Sequence, residues 1–146
     1  MIDSVLQLRV VYEDIPDLIE LGILVKHRGW SSNSTAYTSP ATLANCANSL
    51  LHWANDPRIP EAVVFGADTG IGSLRLRFYT IDAACHAACA ITVATGGSAP
   101  EARPEETWRM QIEMATEVGL VERFAHACNG LSKSLKGEAT LLGLAV

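Results

Sequence analysis

Several features that would assign a chemistry outright are missing from this sequence. It has no basic stripe. Residues 1–60 carry four basic and six acidic side chains and residues 61–146 carry seven and ten, so the net charge of −5 is spread along the chain. Direct nucleic-acid binding is therefore not expected. It has no long apolar run. The uncharged stretch Ala83–Pro100 contains Gly96, Gly97, Ser98 and Pro100 and cannot cross a bilayer as a helix. No basic segment precedes an apolar run near the start, so no secretory signal is read and a cytoplasmic protein without membrane contact is expected. Cysteine is sparse. Cys46, Cys85, Cys89 and Cys128 sit among apolar or small residues, and the expectation is reduced, mostly buried thiols. No G-x-S-x-G element is present. Gly66, Gly70 and Gly72 are not followed by Lys-Ser or Lys-Thr, and a strand pattern comes next, so a hairpin turn is read rather than a phosphate loop.

Against these absences stands a clear pattern of period two. Leu6, Leu8, Val10 and Tyr12 alternate with Gln7, Arg9, Val11 and Glu13, as in a strand with one buried face. The stretch Leu74–Gly97 matches Leu6–Gly29 without a gap at Leu6/Leu74, Leu8/Leu76, Arg9/Arg77, Asp14/Asp82, Ile23/Ile91, Val25/Val93 and Gly29/Gly97. Each stretch is followed by a polar segment and then a helical pattern. The sequence thus reads as one domain, 1–146, with a hairpin-strand-helix unit used twice, over 1–60 and 61–146. Residues 96–107, with two prolines and three glutamates, read as a mobile loop.

The first helix is the better punctuated. Ser39 is a natural N-cap, Pro40 suits the first helical position, Leu43, Ala47, Leu50 and Trp53 share one face, and Asn55-Asp56-Pro57 ends it. A second helix is predicted over residues 117–131, capped by Thr116, with Leu120, Phe124, Cys128 and Leu131 on its stripe. The order is three strands, a helix, four strands, a helix and a strand. That order predicts an α+β fold: a mainly antiparallel sheet of about six to eight strands with both helices on one face. The other face would carry Arg9, Lys26, Arg75, Arg77, Arg109 and Glu113, in water or against a partner.

Two clusters are candidates for function. Cys85, His86 and Cys89, with Asp82 close by and His126 and Cys128 on the second helix, bring together residue types that bind zinc or do redox chemistry. The C-x3-C spacing is neither a zinc knuckle nor a thioredoxin-like C-x-x-C. No metal, no cofactor and no catalytic residue is therefore assigned, and a small metal-binding or enzymatic domain centred on these residues is the alternative reading. The other cluster is acidic: Glu13, Asp14, Asp17 and Glu20 surround Pro16. Their spacing lacks the regularity of a calcium loop. They read as a protein-contact surface, with Tyr12 or Trp30 as an exposed aromatic anchor.

The layout resembles that of small bacterial immunity proteins that guard against wall-associated, contact-dependent toxins. The residues that carry the likeness are the opening strand running into Tyr12-Glu13-Asp14-Ile15-Pro16-Asp17, the second strand leading to Trp30-Ser31-Ser32, and the Ser39-Pro40 start of a Leu-rich helix ending near Trp53. The second half then repeats strands and closes on a helix with Leu120, Phe124 and Leu131. The resemblance implies a non-enzymatic protein whose partner is a toxin domain, and the acidic charge agrees with a basic partner. An exposed sheet face or edge strand would alternatively serve a homodimer.

Overall fold

A computed structural model describes residues 2–15, 17–66, 72–95 and 108–145. The elements are β1 (Ile2–Ile15), β2 (Leu18–His27), β3 (Trp30–Thr38), α1 (Pro40–Asn55), β4 (Glu61–Gly66), β5 (Gly72–Thr80), β6 (His86–Thr95), β7 (Trp108–Glu117), α2 (Val118–Ser134) and β8 (Ala139–Leu144). The fold is α+β, as the element order predicts. The described strands form an eight-stranded sheet in the order β3-β2-β1-β8-β7-β6-β5-β4, with every pair antiparallel. The glycine turn at residues 67–71 and the loop at 96–107 lie outside the described residues.

The chain runs through β-β-β-α-β twice, and the registers repeat with the order. Leu6 faces Val25 and Leu8 faces Ile23 in the first hairpin; Leu74 faces Val93 and Leu76 faces Ile91 in the second. Ile23 opposite Ser34 is likewise matched by Ile91 opposite Ile112. The starts of β3 and β7, of α1 and α2, and of β4 and β8 are each 78 positions apart. The first hairpins are 68 apart, because two residues join β2 to β3 whereas twelve join β6 to β7. Each unit gives its last strand to the other. β8 pairs with β1, and β4 pairs with β5. The sheet is therefore two four-stranded halves, and β7 meets β8 only at Ala115 opposite Leu144 among the described residues.

The sheet curls until β3 comes back beside β4 and β5. Gly72 marks the closest approach, because a Cβ there would lie 2.1 Å from the Thr35 carbonyl oxygen. Inside the curl the two helices pack against each other and against one continuous core. α1 contributes Leu43, Ala47, Leu50 and Trp53, and α2 contributes Val121, Phe124, Cys128 and Leu131. Leu6, Leu8, Leu74, Leu76 and Phe78 close the core from the strands. Arg9, Lys26, Arg75, Arg77, Arg109 and Glu113 are exposed, as the alternation requires.

The helix starts differ in mechanism. Ser39 Oγ accepts from the Thr42 N–H at 3.1 Å, the expected cap, worth about 1 kcal/mol. Thr116 does not cap α2. It is buried within β7, and its hydroxyl donates to the Leu142 carbonyl at 2.9 Å. β7 runs on to Glu117, which takes the cap position without a side-chain bond. The helix also continues through Gly130 to Ser134 and ends at Leu135 in the left-handed region.

Candidate functional site

A concavity lies at the open end of the curled sheet. It arises because β8 stops at Leu144, opposite Ala115, while β7 begins seven residues earlier at Trp108. Over Trp108–Ile112 no described strand pairs with β7 on its β8 side. A cavity of about 610 Å³ lies there, lined by His27, Trp30 and Ser32 from the first unit and by Val93, Thr95 and residues 108–113 from the second. Period-two alternation puts Trp108, Met110 and Ile112 on the face of the buried Met114 and Arg109, Gln111 and Glu113 on the other face, and both sets border the cavity. Trp30 is 74% exposed and Trp108 69% exposed, although both sit on faces that become core further along the strand, at Ala36 and Met114. They occupy corresponding positions, the first residues of β3 and β7.

His27 is held at this mouth by a chain of polar groups. Arg28 Nε donates to Asp3 Oδ2 at 3.0 Å, and Ser4 Oγ donates to Asp3 Oδ1 at 2.9 Å. Ser4 is buried, and its oxygen lies 2.5 Å from His27 Nδ1. A hydroxyl has one proton, and here it goes to the carboxylate, so Nδ1 is assigned as the N–H donor to Ser4. The Arg28 guanidinium, and after it the Ser4 hydroxyl, hold the Asp3 carboxyl below its ordinary range.

The acidic candidates lie elsewhere. Tyr12, Glu13 and Asp14 end β1, Asp17 is in the turn, and Glu20 faces Tyr12 across the β1–β2 hairpin. Ile15 opposite Leu18 keeps the strands paired to the end of the hairpin, and Pro16 lies outside the described residues. All of these except the half-buried Glu20 are exposed. Tyr37 joins them from β3, opposite Glu20. The Glu20 carboxylate beside it, with burial and their hydrogen bond, pushes the Tyr37 phenol up. Trp30 is not part of this group. Seven residues of β2 separate Glu20 from His27, the partner of Trp30, which is about 23 Å of strand at roughly 3.3 Å per residue. The structure therefore splits the six predicted contact residues into a hairpin tip and a distant mouth.

Trp108 is not among the six residues predicted for partner contact; in sequence it is one more apolar position alternating with Arg109, Gln111 and Glu113. The available signal is its place in the repeat, where it matches Trp30.

The Cys85–His86–Cys89 cluster does not converge. Cys85 and His86 are exposed in the β5–β6 turn, whereas Cys89 points into the core. Among the described residues no group of three or more His, Cys, Asp or Glu side chains is placed to hold a metal ion. The turn has another task. Asp82 Oδ1 accepts from the Ala84 N–H, Asp82 Oδ2 meets His86 Nδ1, both at 2.7 Å, and Cys85 takes φ +65°. This aims the Cys85 carbonyl at α2, where it accepts from the Val118 N–H at 3.1 Å. A backbone carbonyl thus takes up an N–H at a helix start that no side chain caps.

The Asp82 hydrogen bond and charge hold His86 above 6.5, and the same hydrogen bond, with the Ala84 N–H, lowers Asp82 below 3.8. The His86 part of the pair is present below pH 6.5 and lost as pH rises through its elevated value. The Asp82 part is present above pH 3.8 and lost as pH falls through its depressed one. We expect the His86 imidazole to titrate by NMR above 6.5 and to return toward it in Asp82→Asn. An unchanged midpoint would remove this account of the turn.

All four thiols are free. Burial pushes Cys128 up to about 12, raises Cys89 well above its ordinary value, and raises Cys46 to a smaller degree. Cys85 is the exception to the expectation of buried thiols. Native protein at pH 8 should label rapidly at Cys85 alone, with Cys46 slower and Cys89 and Cys128 reacting only on unfolding. Mass mapping that found early label on Cys89 would contradict the core assignment.

No helix is long and apolar enough to cross a membrane among the described residues. The chain has no match among family models, characterised proteins or solved structures.

Proposed function

We propose that this protein is a non-enzymatic binding module of the immunity type, and that the mouth between Trp30 and Trp108 receives part of a cognate toxin domain. The observation that carries the reading is the pair of tryptophans, each about 70% exposed, that line one cavity beside a strand edge with no strand partner among the described residues. Two large apolar side chains left in water around a concave surface are what a binding hot spot looks like before its partner arrives. The hydrogen-bonded His27 supplies one oriented polar group among apolar neighbours, which favours a specific fit. The Asp82–His86 contact, the sharpest chemical cluster in the sequence, is spent on a turn and a helix start.

Affinity capture from the native lysate, followed by co-expression of the captured protein, tests the reading. A toxin that arrests growth alone and is neutralised by this chain is the expected result. Trp30→Ala and Trp108→Ala should each weaken that complex by about 30-fold or more, the range of hot-spot truncations. Charge reversal of Glu13, Asp14, Asp17 and Glu20 should change mainly the association rate and its salt dependence. A captured partner that is harmless, or a complex indifferent to both tryptophans, would sink the proposal.

A further inference from the structure

We infer that β7 is completed by a strand from the partner, an extended segment of about five residues in which apolar side chains alternate with acidic ones. This rests on the binding reading above and specifies the chemistry of what enters the mouth.

The first ground is the backbone. β7 is an interior strand of the sheet, yet over Trp108–Ile112 its second edge has no strand beside it among the described residues. β8 cannot supply one, because it ends level with Ala115 and is already paired along β1 from Leu8 to Ile2. Main-chain N–H and C=O groups on that edge call for main-chain partners, which a small molecule supplies poorly and an added strand supplies in register. Five residues at about 3.4 Å each give some 17 Å of available edge.

The second ground is the difference between the two faces of that edge. Residues 108–113 all border the cavity, but Trp108, Met110 and Ile112 share the face of the buried Met114, so the side chains of an added strand on that face meet apolar surface. The outward side chains meet a cationic face. Arg109 lies on β7 itself. Arg75 and Arg77 stand two strands away, in the rows of Gln111 and Glu113. Glu113 is the opposing charge on that row, and its carboxylate already accepts from the Tyr79 hydroxyl at 2.5 Å. Arg77 in turn lies over the Tyr79 ring, 5.1 Å from its centre. An acidic residue opposite Arg109 is therefore the best charge match. The acidic hairpin tip, where Tyr12 and Asp14 sit, is remote from this edge and does not alter it.

The experiment is selection of a phage-displayed library of random heptapeptides on the immobilised full chain, followed by N-methyl scanning of the best binder as a synthetic peptide. Enriched sequences should alternate apolar with acidic residues. Exchanging their acidic residues for lysine should weaken binding at least tenfold at low salt. N-methylation should weaken binding at least tenfold in one alternate frame of residues and leave the other frame nearly unaffected, since only one set of amides faces β7. Trp108→Ala should lose the peptide while retaining the wild-type circular dichroism spectrum.

No enrichment, enrichment without alternation, or equal tolerance of N-methylation in both frames would overturn the inference. So would a dimer in solution that Trp108→Ala converts to monomer, because the occupant would then be a second copy. The two proposals fail separately. A toxin partner that the peptide does not displace overturns the added strand and leaves the immunity reading. A peptide that binds β7 in a lysate yielding no toxin does the reverse.

Discussion

Trp53→Ala is expected to cost about 3–5 kcal/mol of folding stability, the range for deleting a large buried aromatic. Trp53 is fully within the core on the last turn of α1, and its ring meets Phe78 of β5 with centres 5.8 Å apart and planes at 46°. The contact joins the helix of the first unit to the first strand of the second, so no local repacking fills the space. A loss of that size is a large part of the 5–15 kcal/mol typical of a domain. Trp53→Phe should cost far less. The Trp53 Nε1 is buried and has no hydrogen-bond partner among the described residues. Removing a donor that is desolvated without compensation recovers part of what the smaller ring loses. Urea unfolding followed by circular dichroism, rather than by the fluorescence that the mutation itself alters, checks both. Equal losses for alanine and phenylalanine would show that cavity and orphan donor were wrongly weighed.

The second large effect is expected at Gly72. A methyl group there would sit 2.1 Å from the Thr35 carbonyl oxygen and 3.4 Å from that of Ala94. Both obstacles are backbone, so neither can rotate aside. Gly72→Ala must drive β3 and β5 apart where the curled sheet returns on itself, at a cost of about 2–3 kcal/mol, toward the upper range for overpacking. Gly72→Val should exceed it. Gly130 provides the contrast within the same chain. It lies inside α2 with no neighbouring atom within 4 Å of a Cβ, so Gly130→Ala should stabilise by about 0.5–1 kcal/mol through helix propensity. Matched urea midpoints test the pair, and hydrogen exchange in β3 locates the damage. A neutral Gly72→Ala would mean that β3 is not held against β5 as described.

What was legible in the sequence was whatever depends on neighbours along the chain. The alternation of Leu6 and Leu8 with Gln7 and Arg9 places the buried face of β1, because successive side chains on a strand point opposite ways. Ser39 and Pro40 start α1 through local sterics and one short hydrogen bond, and the structure keeps both. The gap-free match of the two hairpins carries through to identical pairing, Leu6 with Val25 and Leu74 with Val93. Thr116 shows the limit of that logic. Its residue type suits a helix cap, but pairing with β6 extends β7 past it, and the Cys85 carbonyl from a distant turn takes up the first helical N–H instead. Propensity is a weak prior against a ladder of backbone bonds.

The candidate site was settled by tertiary structure. The acidic residues and Trp30 are close in sequence, yet a strand carries them to opposite ends of the first hairpin. Trp30 and Trp108 are 78 positions apart and line one cavity. That cavity exists because each unit gives its last strand to the other, leaving β7 longer than the strand beside it. No local pattern encodes which strands become neighbours, since an alternating strand fits any partner that buries the same face. The sequence by itself determined the elements, their buried faces and the two-unit order. The exchange of β4 and β8, the edge of β7 left without a strand among the described residues and the meeting of the two tryptophans follow from closing one core around both helices, a condition on the whole chain at once.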